Sequence, residues 1–302
     1  MSETENLFAA EQSVKVRSLW QDAWRRFKKN RLNLIALTLL ALMVAAALGT
    51  GVVDLVTQGS FYDKYVVSQD LVHRLQPPSP KHPLGLDEFG RDILLRLLWG
   101  IRYSLFMGML AILGAVIAGT CIGAVSGFYA KIDNVIMRAM DVLLAIPSIL
   151  LATAIVAALG PSLPNVVLAI GIANIPSFAR IVRASVLTLK DQEFIEAARA
   201  MGATDRRIIF KYIIPNSLAP IIVQGTMGIA SAILSIASLS FVGLGVQPPT
   251  PEWGAMLSNA RTYIRDAWHI TVMPGAAIML AILIMNILGD GLRDALDPRL
   301  KN

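Results

Sequence analysis

The chain has 302 residues, 55% hydrophobic and 16% charged, with a formal net charge of +6. A soluble domain carries about 25% charged residues, so this composition excludes an ordinary water-soluble enzyme and points to the lipid bilayer. The single cysteine, Cys121, excludes an intrachain disulfide and reads as a small buried hydrophobe in an apolar run.

Residues 1–31 form a polar, mildly amphipathic leader. Val14, Leu19, Trp20, Trp24 and Phe27 recur at near-helical spacing among basic residues. Two readings stand: a helix on the inner membrane face with its basic groups near anionic lipid, or a partly ordered tail. Six stretches then approach the roughly 20 apolar residues that a membrane span requires. They are 32–53, 104–129, 137–159, 166–185, 218–242 and 271–288. The first follows a long polar leader and exceeds a signal-peptide core in length, so it reads as a retained span despite Ala45-Ala46-Ala47.

Residues 54–103 read as a long external loop. Gln76-Pro77-Pro78-Ser79-Pro80 is rigid and non-helical. The block LGLDEFGRD follows, with turns expected at Gly85 and Gly90 and a helix cap at Asp92. Arg91 and Asp92 have no accompanying nucleophile–base pair, so a catalytic role for them is rejected. In the second span Ala115, Gly119, Gly123 and Gly127 lie four residues apart and share one helix face. Small residues there let another backbone come close, which places this helix inside a bundle.

Asp141 falls one turn into the third span. It reads either as lining an aqueous cavity or as an interfacial carboxylate paired with Arg138 or a neighbouring loop. Pro147 and Pro176 are expected to kink spans three and four. Asn174, Gln224 and Asn286 are polar groups within spans, and read as interhelical hydrogen-bond partners or as part of a substrate path.

Residues 190–216 are the most informative segment. Residues 196–201 are good helix formers. Gly202 suits the left-handed turn that ends a helix. Thr204 or Asp205 then caps a second helix through Arg206 and Arg207, with an apolar stripe at Ile208, Ile209 and Tyr212. Pro215 closes the segment. The plainer alternative is a polar loop between two spans.

After the fifth span, QPPTPEWGAML breaks the helix with prolines. Trp253 and Trp268 suit the membrane–water boundary. Residues 253–265 read as a short amphipathic helix on the outer surface or dipping in. The tail, 290–302, follows the last span directly.

Basic residues decide the orientation. Arg25, Arg26, Lys28, Lys29 and Arg31 crowd the first span, and Arg199, Arg206, Arg207 and Lys211 lie in the 190–216 segment. The third connection, 160–165, is uncharged. The positive-inside rule puts both termini, the second connection and 190–216 in the cytoplasm. The long loop 54–103 carries charges of both signs and weighs less in that rule, so it is placed outside.

No glycine precedes any lysine, so the chain has no GKS/T phosphate loop. Neither H-E-x-x-H nor G-x-S-x-G occurs, and His73, His82 and His269 have no metal-ligand spacing.

The run EAARAMGATDRRIIFKYIIP, from Glu196 to Pro215, resembles the cytoplasmic EAA loop of ABC-importer membrane subunits. With LGLDEFGRD, QPPTPEWGAML and GDGLRDALDPRL in order, nearly the whole chain after Trp20 resembles the dipeptide/oligopeptide/nickel class of these permeases. It is most similar to the second of their two unlike subunits. Tyr212 and Ile214 depart from a usual Ile and Leu, and Leu86 from a usual Thr.

The resemblance implies an all-α integral membrane protein with six transmembrane helices: a type I ABC-importer permease core, 104–289, with a cytoplasmic coupling helix. It implies coupling to ATPases through Glu196, Ala197, Ala198, Gly202, Asp205, Arg206 and Pro215. It implies a heterodimer with a paralogous permease, two ABC ATPase subunits that bind the ATP, an extracytoplasmic substrate-binding protein, and a bacterial or archaeal cytoplasmic membrane. No cofactor, metal or nucleic acid is expected for this chain, nor enzyme activity of its own. Di- or oligopeptide is the expected cargo, with nickel or glutathione as alternatives. The rival readings are a stand-alone secondary transporter, which lacks support from internal repeats or intramembrane charges, and an intramembrane enzyme, which lacks a catalytic constellation.

Overall fold

The computed structural model describes residues 19–297. Val14 of the leader, and Pro298, Arg299 and Leu300 of the tail, lie outside the described residues. Helices account for the regular structure: α1 (Leu19–Lys29), α2 (Arg31–Val56), α3 (Ile93–Phe128), α4 (Ala130–Ala145), α5 (Ser148–Leu159) and α6 (Leu163–Leu189) come first. Then follow α7 (Glu193–Ala200), α8 (Asp205–Ile208), α9 (Ile214–Asn216), α10 (Leu218–Phe241), α11 (Trp253–Ala260) and α12 (His269–Leu296). The described residues contain no strand, only an isolated antiparallel bridge between Leu86 and Asp92. Five helices are long and apolar enough to cross a membrane: α2, α3, α6, α10 and α12. The bent pair α4–α5 makes six if it counts as one span.

Two expected spans are corrected. The second begins at Ile93, not near 104, and runs 36 residues. Asp92 starts it, its carboxylate accepting from the Leu95 N–H at 3.0 Å. Arg96 and Arg102 had marked this stretch as loop, but both charges are paired inside the fold. The third span is not continuous. Pro147 lacks an amide donor and forces the preceding Ile146 into an extended conformation (φ −93°, ψ 126°). The chain there bends by 88° between α4 and α5. Pro176, by contrast, sits buried inside an uninterrupted α6.

The α3–α6 interface sets the bundle. A Cβ on Gly119 would lie 2.5 Å from the Phe178 Cβ, and one on Gly127 would lie 2.8 Å from the Val186 Cβ. One on Gly123 would overlap the Ala179 carbonyl oxygen and stand 2.9 Å from the Val182 Cβ. The expected small-residue face thus meets α6 along three turns. Ala115, Ile112, Phe178 and Ile170 continue the seam into a core shared with α5 and α10.

The end of the bundle where α3 begins is held by buried charge. Arg91 Nε donates to Asp87 at 2.7 Å, and its Nη2 donates to Glu88 at 3.3 Å. Arg96, 1% exposed, lies 3.3 Å from the same Asp87 and donates to the carbonyls of Val66 and Pro249. Burial, and then the Asp87 charge, raise the Glu88 carboxyl above its usual range. Asp54 ties α2 to α3 by accepting from Trp99 Nε1 at 3.0 Å and Arg102 Nη2 at 2.6 Å. Gly85 and Gly90 have φ of +82° and +74°, as the turn reading requires.

Trp253 corrects another expectation. It is 2% exposed and donates from Nε1 to the Leu97 carbonyl, so it is a packing residue rather than a boundary anchor. Glu252 caps α11 through the N–H groups of Gly254 and Ala255 and accepts from Ser104. The helix α11 is therefore seated on α3, α10 and α12 and does not lie free on the surface. Trp268 is 56% exposed.

The glycine seam makes a direct stability prediction. Gly123→Leu should lower the detergent melting temperature, because overpacking a seated interface costs about 1–3 kcal/mol or more. Gly114→Leu is the control, since nothing lies within 4 Å of a Cβ there. Equal melting temperatures for the two variants in a thermal-shift assay would rule out this account of the α3–α6 contact.

Candidate functional site

The segment 190–216 folds as a short helix, a tight turn and a second helical run. In α7, Ile195 and Ala198 are buried at 0% and 1% exposure. Ile195 packs, with Ile208, Ile209 and Ile213, against Ala124, Val182, Val186 and Ile221. The C-terminal ends of α3 and α6 thus form the seat on which the segment rests. The expected stripe is present with one shift: Ile213 is fully buried, while Tyr212 packs at the edge.

Gly202 has φ +82°. Its N–H donates to the Arg199 carbonyl, and the Ala203 N–H donates to the Ala198 carbonyl. This is the bond pair of a Schellman turn, which needs a left-handed residue at that point. A Cβ there would meet nothing within 4 Å, so backbone conformation alone selects glycine. Thr204 stands at the next helix start, but neither it nor Asp205 makes a side-chain cap. Asp205 instead accepts from the Tyr129 hydroxyl at 3.2 Å. Burial, and then this carboxylate, raise the Tyr129 phenol above its ordinary range. A π-type turn, Ile209–Ile213, leads to α9, where Pro215 occupies the first turn and is exposed.

The outward face combines charge with large apolar groups. Glu196, Ala197, Arg199 and Arg206 are exposed. Around them Phe194, Met201 and Phe210 are 40%, 79% and 66% exposed. The Arg199 guanidinium lies over the Phe128 ring at 5.6 Å.

The polar residues within the spans do not form one site. Asp141 pairs with Arg180 of α6 at 2.5 Å, not with Arg138, and both side chains are about half exposed. Asn174 donates to the Ile170 carbonyl of its own helix at 2.8 Å, so it makes a local bond rather than an interhelical one. Gln224 is half-buried beside a groove that Arg293, Met227 and Ile181 also line. Asn286 is exposed on α12. No hydrogen bond joins any two of these four among the described residues. Sequence reading missed a different polar group. Asp133 accepts from Arg183 Nε and Nη2 at 2.6 and 2.5 Å, and from Ser126 at 2.5 Å. The available signal is the charge complement of Asp133 with Arg183 near the end of the fourth span.

Comparison with known proteins places this architecture. Residues 97–302 match the family model described as binding-protein-dependent transport system inner membrane component. Residues 18–78 match the N-terminal TM domain of oligopeptide transport permease C. The dipeptide transport system permease protein DppC of Alkalihalophilus pseudofirmus is 48% identical, over 94% of this chain and 91% of that protein. The glutathione transport system permease protein GsiD of Pectobacterium atrosepticum is 44% identical, over 95% and 93%. The di/tripeptide transport system permease protein DppC of Pseudomonas aeruginosa is 43% identical, over 100% and 99%. Among solved structures, a chain of the inward-facing MetNI methionine ABC transporter aligns with a TM-score of 0.55 at 19% identity, covering 68% of this chain and 98% of that one. That likeness speaks to fold alone. A match over two thirds of the chain, with such relatives over nearly all of it, settles the family: the protein belongs to the inner-membrane permeases of binding-protein-dependent ABC importers.

Proposed function

We propose that this permease forms the import pathway for di- or oligopeptides together with a second, unlike permease, and is driven by two separate ATPases that grip the 190–216 segment. An extracytoplasmic binding protein delivers the cargo, and both termini and 190–216 lie in the cytoplasm. The observation that carries the coupling reading is the face of α7. Phe194 and Met201 stand exposed around Glu196 on a rigidly seated helix, and exposed large apolar groups at a polar membrane face mark a protein contact. Glu196, Ala197, Gly202, Asp205, Arg206 and Pro215 contribute to this contact, and Ala198 fixes α7 from beneath.

Gly202→Val tests the coupling. A β-branched residue resists positive φ, so α7 should lose its orientation while the protein still reaches the membrane. Glu196→Lys reverses a charge on the exposed face. Both should abolish substrate uptake at normal membrane abundance, and normal uptake by both would remove the docking assignment.

The orientation follows from basic residues next to α2 and in 190–216. Residues near Gln76 and Pro251 are expected outside; Pro251 is buried, so the reporter pair is Gln76→Cys and the exposed Pro249→Cys in a Cys121→Ala background. Both should react with an impermeant thiol reagent in intact cells. Labelling only after lysis would invert the topology.

Peptide is the cargo reading with the widest support, since the relative at 48% identity is named for dipeptide and another for di- and tripeptide. Glutathione, itself a tripeptide, is the second reading, on a relative at 44%. A deletion strain should lose growth on dipeptides supplying a required amino acid. Loss of glutathione uptake with unchanged dipeptide use would select the second reading instead.

A further inference from the structure

The helix α4 is fastened unlike the rest of the bundle. It has 16 residues and none of them is buried. No α4 residue belongs to any of the four apolar clusters of the described residues, whereas Ala152 and Val156 of α5 are core members. Its specific contacts are polar. Asp133 holds Arg183 bidentately and accepts from Ser126; Asp141, two turns on, holds Arg180. Both ends are joints. At one end Tyr129 is extended (φ −103°, ψ 94°) between α3 and α4. At the other, the 88° break at Pro147 joins α4 to the core-anchored α5.

The first joint is also where the 190–216 segment touches the membrane helices through polar groups. Arg199 of α7 lies over the Phe128 ring, and Asp205 of α8 accepts from the Tyr129 hydroxyl. Both halves of the segment therefore bear on two adjacent residues of one joint. Asp133 stands one turn beyond it. A helix about 24 Å long, hinged at both ends and without apolar anchorage, turns as a lever when its first joint moves.

We propose that the Phe128–Tyr129 joint and the Asp133–Arg183 pair are a transmission, setting the tilt of α4 by the position of the 190–216 segment. The inference rests on the coupling reading above and adds the route from that segment into the membrane. Tyr129 and Asp133 are positioning residues; neither touches ATP or cargo. The bidentate Asp133–Arg183 contact is the directional link, because two parallel charge-assisted bonds fix angle as well as distance. The Asp141–Arg180 pair, about half exposed, guides the far end more loosely.

The test needs no knowledge of the cargo. Spin labels on Val142→Cys of α4 and Leu168→Cys of α6, both exposed, are placed in a Cys121→Ala background. Their distance is measured by electron–electron resonance in the complex with its cognate permease and ATPases, without nucleotide and with ATP plus vanadate. The wild-type pair should shift on nucleotide binding. Tyr129→Phe and Asp133→Asn should lose the shift while hydrolysing ATP at the wild-type rate. The reversed pair Asp133→Arg with Arg183→Asp should regain it, which mere structural damage does not allow. An unchanged shift in both single variants, or no rescue by the reversal, overturns the transmission. So does a wild-type complex that hydrolyses ATP while α4 stays still. A wild-type chain that recruits no ATPase at all overturns the coupling reading itself. Should Asp133→Asn fail to assemble, Tyr129→Phe decides alone, since it removes only one exposed hydroxyl.

Discussion

The close approach of α3 and α6 is the constraint from which the rest of the architecture follows. Three glycines, Gly119, Gly123 and Gly127, leave no room for a Cβ against Phe178, Ala179, Val182 and Val186. In lipid there is little hydrophobic drive between helices, so association depends on such dense van der Waals contact. The consequence reaches the 190–216 segment. With the two helices in register, Ala124, Val182 and Val186 form a continuous apolar seat, and Ile195 and Ile208 fit into it. The short helix α7 is too brief to be stable alone. It owes its orientation to this seat, and the seat exists because α3 presents glycine rather than a bulkier residue.

The opposite end of the bundle, where α3 begins, solves a different problem. Unpaired charge near the bilayer is costly, and the chain places four charged groups close together there. Asp87, Glu88, Arg91 and Arg96 neutralise one another, and Arg96 Nη1 donates to the carbonyls of Val66 and Pro249, while its buried Nε has only the ion pair with Asp87. One side chain thus binds the loop after α2, the LGLDEFGRD turn and the loop before α11. Glu252 is fully buried and spends both oxygens on the start of α11, with Ser104 completing the set.

Much of this was legible in residues that act locally. Asp92 as a cap, Gly85, Gly90 and Gly202 at positive φ, and the glycine face of α3 all follow from neighbours within a few positions. What stayed illegible depends on distant partners. Arg96 and Arg102 looked like loop charges because Asp87 and Asp54, which neutralise them, come from other segments; α3 therefore starts eleven residues before the expected span. Trp253 looked like a boundary residue because its acceptor, the Leu97 carbonyl, is more than 150 positions away. Pro147 was readable as a kink, but a kink and an 88° break differ in how the flanking helices pack, which no local signal encodes. Asn174 shows the converse: a polar group in a span satisfied itself on its own helix and needed no partner.

Two modes of attachment coexist in one bundle. The helices α3, α6, α10 and α12 share apolar clusters, where displacing a side chain opens a cavity, at about 2–5 kcal/mol for a leucine-sized gap. The helix α4 is held by ion pairs: Asp133–Arg183 is partly buried and bidentate, while Asp141–Arg180 is about half exposed, the kind of pair that contributes about 0–1 kcal/mol and exchanges with water at little loss. A helix held in the first way keeps its register. One held in the second can change its tilt without unpacking a core. The chain has placed the second kind of attachment only where Tyr129 and Pro147 already supply joints. A transporter must alternate between states without dismantling itself, and this separation of a dry, fixed core from a polar-fastened element is a physical basis on which the same sequence can do both.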